Sequence, residues 1–231
     1  LSIDELEIKG LDRKRMTSLL KELEFRSLAE EILGEFRQEP IPDKKYVTVL
    51  SKKDLNTLIK ELQKSDGFAI DLETTNKKPM WATIVGFALS YKSNEGYYVP
   101  VKHDYEGAPK QLSIKTVLEK LSPLLISSKL PKYGQNIKYD MLIMDRAGVR
   151  MDGITFDTML ASYVLNPTHR RHGIDELSRE YLDHQPVSYK DVVGSGGNEK
   201  TFNQVEVKTA TYYSAEDADI TWSLVNVLNT K

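Results

Sequence analysis

Apolar residues change their spacing as the chain proceeds. Up to about residue 38 they recur at helical intervals, in MTSLLKELEF and RSLAEEILGEF, which predicts helix. QEPIPDKK, with two prolines and mixed charge, breaks the pattern and reads as a linker. From Tyr46 the period shortens: YVTVL is a short β-rich run, and SKKDLNTLIKELQK is a helix with Ser51 as its N-cap. Three strand-like runs follow, GFAIDLE (67–73), ATIVGFALSYK (82–92) and GYYVPV (96–101), the last two joined by a hairpin turn at SNEG. Gly86, inside the second run, marks a bulge or a close approach. IKTVLEKLSPLLIS then reads as helix, KLPKYGQ as a short strand, and NIKYDMLIMDRAG as a helix capped by Asn136 and ended by Gly148. From Phe156 onward the chain reads as mostly helical, with a long helix from Gln204 to Val227 after the glycine-rich VVGSGGNEK. Strands first and helices later predict an α/β domain whose sheet opens with an antiparallel meander. The expected division is a helical segment over 1–43 and the α/β domain over 44–231.

Composition narrows the class. At 231 residues the chain is long enough for one sizeable core, and 40% hydrophobic with 29% charged residues is ordinary for a globular protein. The absence of cysteine excludes disulfides and thiolate metal sites. No apolar run reaches membrane-spanning length, and the charged start LSIDELEIKG does not suit a signal peptide. A net charge of −2, from 32 basic and 34 acidic residues, argues against a protein that grips long duplexes electrostatically.

The chemistry concentrates in three windows: Asp71 and Glu73 in FAIDLETT, Asp140 in GQNIKYD, and Asp217 in YYSAEDAD. Carboxylate oxygens are the hard ligands that Mg²⁺ and Mn²⁺ prefer, and two such ions can serve phosphodiester hydrolysis. Asp71 and Glu73 alternate on a strand and so share a face, while Tyr213 and Asp217 share a helix face at i, i+4. Taken singly, each acid reads as a surface charge. A second DxE, Asp104-Tyr105-Glu106, lacks the apolar run that delivers the first to a strand end. Glu216 and Asp219 point away from Asp217 on the helix and read as surface or structural groups. The run His169-Arg170-Arg171-His172 reads either as a strand-backbone contact or as a solvated loop.

Together the three windows resemble the 3′–5′ exonuclease domain of bacterial family A (polymerase I) DNA polymerases, in the DEDDy branch of the ribonuclease H-like exonucleases. GITFDTMLASYVLNP, RHGIDELSREYL and TFNQV extend the likeness over essentially the whole chain, and KELEFRSL resembles the junction from a preceding 5′-nuclease domain. The resemblance implies a ribonuclease H-like mixed sheet, an antiparallel meander plus parallel strands, flanked by helices. It implies Asp71, Glu73 and Asp217 as ligands of one divalent ion, Mg²⁺ or Mn²⁺. A second ion would be shared by Asp71 and the scissile phosphate, with Asp140 acting through water and Tyr213 orienting the attacking water. Substrate contacts are implied for Thr74, Lys77, Asn136 and the aromatic ring of Phe156. The implied substrate is the 3′ end of single-stranded DNA, the implied partner a polymerase domain C-terminal to this one, and the setting the bacterial cytoplasm, as a monomer.

One departure stands out. Lys77 occupies the position where many members carry a leucine that wedges between the last two bases. Either Met80 or Trp81 does the wedging, or Lys77 or Lys78 substitutes a phosphate contact for it. Two rival readings are a catalytically inactive structural domain and a DEDDy exoribonuclease.

Overall fold

The computed structural model describes residues 44–231 together with Asp12, Arg15, Met16, Leu19, Leu20, Leu23, Phe25 and Leu28. The helical reading of 1–43 otherwise lies outside the described residues. The chain divides into two compact units, Leu1–Pro42 and Asp43–Lys231.

The second unit is built on a six-stranded sheet of order β1-β4-β3-β2-β5-β6. Its strands are β1 (Lys45–Thr48), β2 (Phe68–Thr74), β3 (Ile84–Lys92), β4 (Glu95–Pro100), β5 (Lys132–Gly134) and β6 (Ile154–Asp157). β2, β3 and β4 form the antiparallel meander, and β1, β5 and β6 add parallel pairings at either side. The α-helices of this unit are α1 (Lys52–Lys64), α2 (Ile114–Leu125), α3 (Lys138–Arg146), α4 (Thr158–Leu165), α5 (Ile174–Tyr181), α6 (Tyr189–Val193) and α7 (Val207–Leu228). None of them is long and apolar enough to cross a membrane.

Alternation along β2 sorts its side chains between two layers. Phe68, Ile70 and Leu72 enter the main core with Leu55, Leu58 and Leu62 of α1 and Val117 and Leu121 of α2. Each such side chain, fully buried, contributes about 1.5–3 kcal/mol. Ala69, Asp71 and Glu73 therefore face the other way, toward α7, which packs across β1 to β5. Small residues bring that helix close. Gly96 of β4 lies against Ala215 of α7 so tightly that a methyl group there would overlap the Ala215 carbonyl. Ala88 of β3 and Ala210 and Ala218 of α7 are fully buried in the same layer. Gly86 is a close approach, as its spacing suggests: an added methyl would overlap the Tyr98 ring.

Four local readings change. The hairpin turn is Ser93-Asn94 alone, because Glu95 already pairs with Lys92; Asn94 supplies the positive φ of 64° and donates its N–H to Asp219 Oδ1 at 2.7 Å. Phe156 lies in strand β6, whose four residues are too short to show a period. The last helix begins at Val207, since Phe202–Gln204 form a separate 3-10 turn. Asn136 does not cap α3. It sits at φ 57°, and Ile137 is the capping residue, with no side-chain bond.

Candidate active site

Asp71 and Glu73 lie on the face of β2 that α7 covers, and α7 brings Asp217 to them. One carboxylate oxygen from each of Asp71, Glu73 and Asp217 lies within 4.8 Å of the others, the one such cluster among the described residues. Asp140, on the first turn of α3, stands beside this trio. Its Oδ1 accepts the N–H of Leu72 at 3.2 Å, between the two β2 acids. Asp104 and Glu106 sit in a loop outside the cluster, where Asp104 instead accepts from Asn203 Nδ2 at 2.6 Å.

Burial side by side keeps these acids from ionising freely. It pushes Asp71 up to about 6. It raises Glu73 well above the usual range, and the Asp71 charge adds to the effect. Asp140 is raised by burial and then by Asp71, and Asp217 by burial and then by Asp71 and Glu73. Among the described residues no ion pair joins any of the four to a Lys or Arg. Converging hard oxygen donors that repel one another and lack a basic partner fit a divalent cation.

Two hydroxyls on α7 complete the cluster. Ser214 donates to Glu73 Oε1 at 2.8 Å. Tyr213 faces Asp217 one turn along the helix, and burial followed by the Asp217 charge raises its phenol well above the ordinary value. Ser214 was not singled out by sequence, although it stands three residues before Asp217 on the same helix face.

The remaining predicted positions divide. Thr74 Oγ1 pairs with the Tyr139 hydroxyl at 2.6 Å, at the end of β2. Asn136 and Ile137 donate their N–H groups to Asp157 at 3.2 and 3.0 Å. Asp157 also caps α4, accepting from Met159 and Leu160, so one carboxylate ties the turn before Asp140 to the next helix. The missed signal was an Asp directly before an apolar helical run, TMLASYVL. Phe156 packs against the cluster of Leu177, Ile220, Leu224 and Leu228. Lys77 holds its ammonium 5.4 Å from the centre of the Tyr189 ring. Met80 and Trp81 are exposed on the same loop.

Glu216 and Asp219 are buried, which settles their reading as structural rather than surface groups. Glu216 takes Lys44 Nζ at 3.0 Å, His184 Nε2 at 2.9 Å and the Val187 N–H at 2.8 Å. Asp219 accepts from Tyr46 at 2.9 Å as well as from Asn94.

A mixed sheet with paired acids on its central strand, completed by acids from two helices, defines a ribonuclease H-like exonuclease. The chain belongs to the 3′–5′ exonuclease family of family A DNA polymerases, whose model matches residues 46–231, and the domain is a hydrolase. It is 35% identical to DNA polymerase I of Pseudomonas aeruginosa over 99% of the chain, and spans 26%, about a quarter, of that relative's length. Two solved structures share the fold. Trypanosoma brucei RNase D superimposes with a TM-score of 0.64 at 14% identity, over 80% of this chain and 65% of the other. Brucella melitensis NrnC with bound Mg²⁺ does so with a TM-score of 0.56 at 19% identity, over 80% of each chain.

Proposed function

We propose that this domain removes 3′-terminal nucleotides from single-stranded or frayed DNA, releasing nucleoside 5′-monophosphates. In this reading it is the proofreading module of a bacterial, cytoplasmic DNA polymerase I, with a polymerase domain C-terminal to it. The observation that supports it most is the meeting of Asp71, Glu73 and Asp217, with Tyr213 one turn before Asp217 on the same helix.

Asp71, Glu73 and Asp217 would hold one Mg²⁺ or Mn²⁺, and Asp71 with Asp140 would serve a second. When bound, the ions supply positive charge to the attacking water and to the leaving 3′ oxygen. The chain's own groups position the reaction. Tyr213, packed against Phe202 and Tyr189 beside Asp217, orients the water for in-line attack on the terminal phosphorus. The P–O3′ bond breaks as the new P–O bond forms, and the leaving oxygen takes up a proton. Ser214 holds Glu73, and Asp157 holds the turn that aims Asp140.

The expected result is that Asp71→Ala or Asp217→Ala abolishes Mg²⁺- or Mn²⁺-dependent shortening of a 3′-ended oligonucleotide. Undiminished activity in either variant would sink the reading. Matched DNA and RNA oligonucleotides distinguish a deoxyribonuclease from an exoribonuclease.

A further inference from the structure

The residues that follow β4 reach across the fold to the residues that open α7. The Asp104 N–H donates to the Asn203 carbonyl at 2.9 Å, and Asn203 Nδ2 returns a bond to Asp104 Oδ1 at 2.6 Å. His103 Nδ1 lies 2.9 Å from the Val205 carbonyl, which can only accept, so Nδ1 carries the ring proton. Nε2 is then free to accept the Tyr98 hydroxyl at 2.8 Å. Burial holds this imidazole below its ordinary value and keeps it neutral. Gln111 fixes the backbone beneath it, accepting the His103 N–H at 2.7 Å and donating to the His103 carbonyl at 2.8 Å.

Helix α7 has no side-chain cap of its own. Glu206 precedes the first turn without a capping bond, and the Val207 N–H goes instead to the Tyr105 hydroxyl at 3.0 Å. The start of the helix is thus set from another part of the fold. Six residues further on stands Tyr213, whose ring packs on Phe202 with centres 6.0 Å apart. Phe202 is buried and touches the His103 ring as well, at 6.0 Å. The other end of this clamp reaches the acids. The Tyr98 ring fills the space over Gly86, and Gly86 pairs with Glu73 across the β2–β3 ladder.

We propose that His103, Asp104 and Tyr105 are positioning residues for hydrolysis: by fixing the start of α7 and the ring of Phe202 against β4, they set where the Tyr213 hydroxyl stands relative to Asp217. This rests on the exonuclease reading for the task of Tyr213. The second DxE window thereby has a role that needs no metal. Asp104 and its neighbours hold the helix that carries one of the ligands.

The test uses Tyr105→Phe, which removes only the hydroxyl that receives the Val207 N–H, and Asp104→Ala with Asp104→Asn as its conservative partner, all in the full chain. Asp104 is exposed and Tyr105 half-buried, so these changes open no cavity in the core. Hydrolysis of a single-stranded oligothymidylate in Mg²⁺ is measured per folded molecule. Tyr105→Phe and Asp104→Ala are expected to lower kcat about 5- to 20-fold, because a reacting group displaced by ~1 Å can cost about 100-fold. KM and Mn²⁺ affinity should change less than about twofold, since neither substrate nor ligands are touched. Asp104→Asn, which keeps an acceptor for Asn203, should recover most of the loss. On a Tyr213→Phe background, Tyr105→Phe should slow the reaction by less than about a further twofold, because both act through one hydroxyl. A 3-fluorotyrosine at position 213 should change its ¹⁹F shift when Tyr105→Phe is introduced. Unchanged kcat in Tyr105→Phe, full additivity with Tyr213→Phe, or an unmoved fluorine signal would overturn the proposal. If the unmodified chain cleaves no oligonucleotide while the fluorine signal moves, the exonuclease reading fails and the clamp on Tyr213 stands.

Discussion

The Ser214 hydroxyl donates to Glu73 Oε1 at 2.8 Å, a hydrogen bond between two buried side chains on different layers of the fold. It welds α7 to β2 at the point where the acids converge. Hydrogen bonds to charged groups are worth about 1.5–3 kcal/mol, and groups that orient metal ligands typically change metal affinity about 10- to 100-fold. Ser214→Ala should therefore weaken Mn²⁺ binding by at least about tenfold in isothermal titration. Lowered exonuclease activity with Mn²⁺ affinity intact would show that the bond orients something other than a ligand.

The raised acids make the stability of the metal-free protein depend on pH. Asp71 moves from an ordinary 3.8 up to about 6, and Glu73, Asp140 and Asp217 move the same way. Folded protein then binds more protons than unfolded protein between those limits, so stability falls as pH rises. The stabilising contribution is complete below pH 3.8 and is lost as pH passes through about 6 for Asp71 and through the raised range of the other acids. Metal-free protein should melt lower at neutral pH than at mildly acidic pH from this cause. Mg²⁺ or Mn²⁺ should restore more of the melting temperature at neutral pH than at acidic pH. A metal-induced shift of equal size at both pH values would contradict the assignment.

Much of this arrangement is legible in the amino-acid order alone. Asp71 and Glu73 could be read because strand alternation is local: two residues apart on one strand share a face whatever lies around them. Tyr213 and Asp217 were legible for the same reason on a helix. The supporting groups were not, because their partners are chosen by the fold. Asp157 reaches back to Asn136 and Ile137 from another strand, and its cap of α4 is hidden by the short length of β6. Glu216 reads as either a surface or a structural acid until Lys44 and His184 are brought to it across the fold and decide for the second.

Asp157 deserves a variant of its own, because its two oxygens accept N–H groups from two elements. Asp157→Asn keeps one acceptor but turns an amide NH₂ toward a backbone donor, either Ile137 or the group that includes Asn136, Met159 and Leu160. A cost of about 1–3 kcal/mol follows from a buried donor left unpaired. The turn before α3 also loosens, so the turnover rate should fall while Mn²⁺ affinity at the Asp71, Glu73 and Asp217 trio changes little. Urea unfolding and titration check the two halves separately. Loss of stability with an unchanged rate would show that Asp140 does not depend on this tie.

Glu216 and Asp217 are neighbours in the chain with opposite electrostatics. Lys44, His184 and the Val187 N–H surround Glu216 and hold its carboxyl below the usual range despite burial, whereas burial and two other acids raise Asp217. Glu216 therefore stabilises the fold at neutral pH, and that contribution is lost as pH falls, while a charged Asp217 strains the metal-free fold. Neutralising each should have opposite effects. Glu216→Gln leaves Lys44 facing an uncharged group in a buried site and should cost about 2–4 kcal/mol, with the turnover rate of the folded fraction largely kept. Asp217→Asn relieves repulsion with Asp71 and Glu73, so the metal-free protein should melt at or above the temperature of the unmodified chain while hydrolysis disappears. Urea unfolding in EDTA, paired with oligonucleotide hydrolysis in Mg²⁺, reads both. If Asp217→Asn destabilised the metal-free protein as much as Glu216→Gln does, the acids on β2 and α7 would be held by the fold for packing and not for a cation.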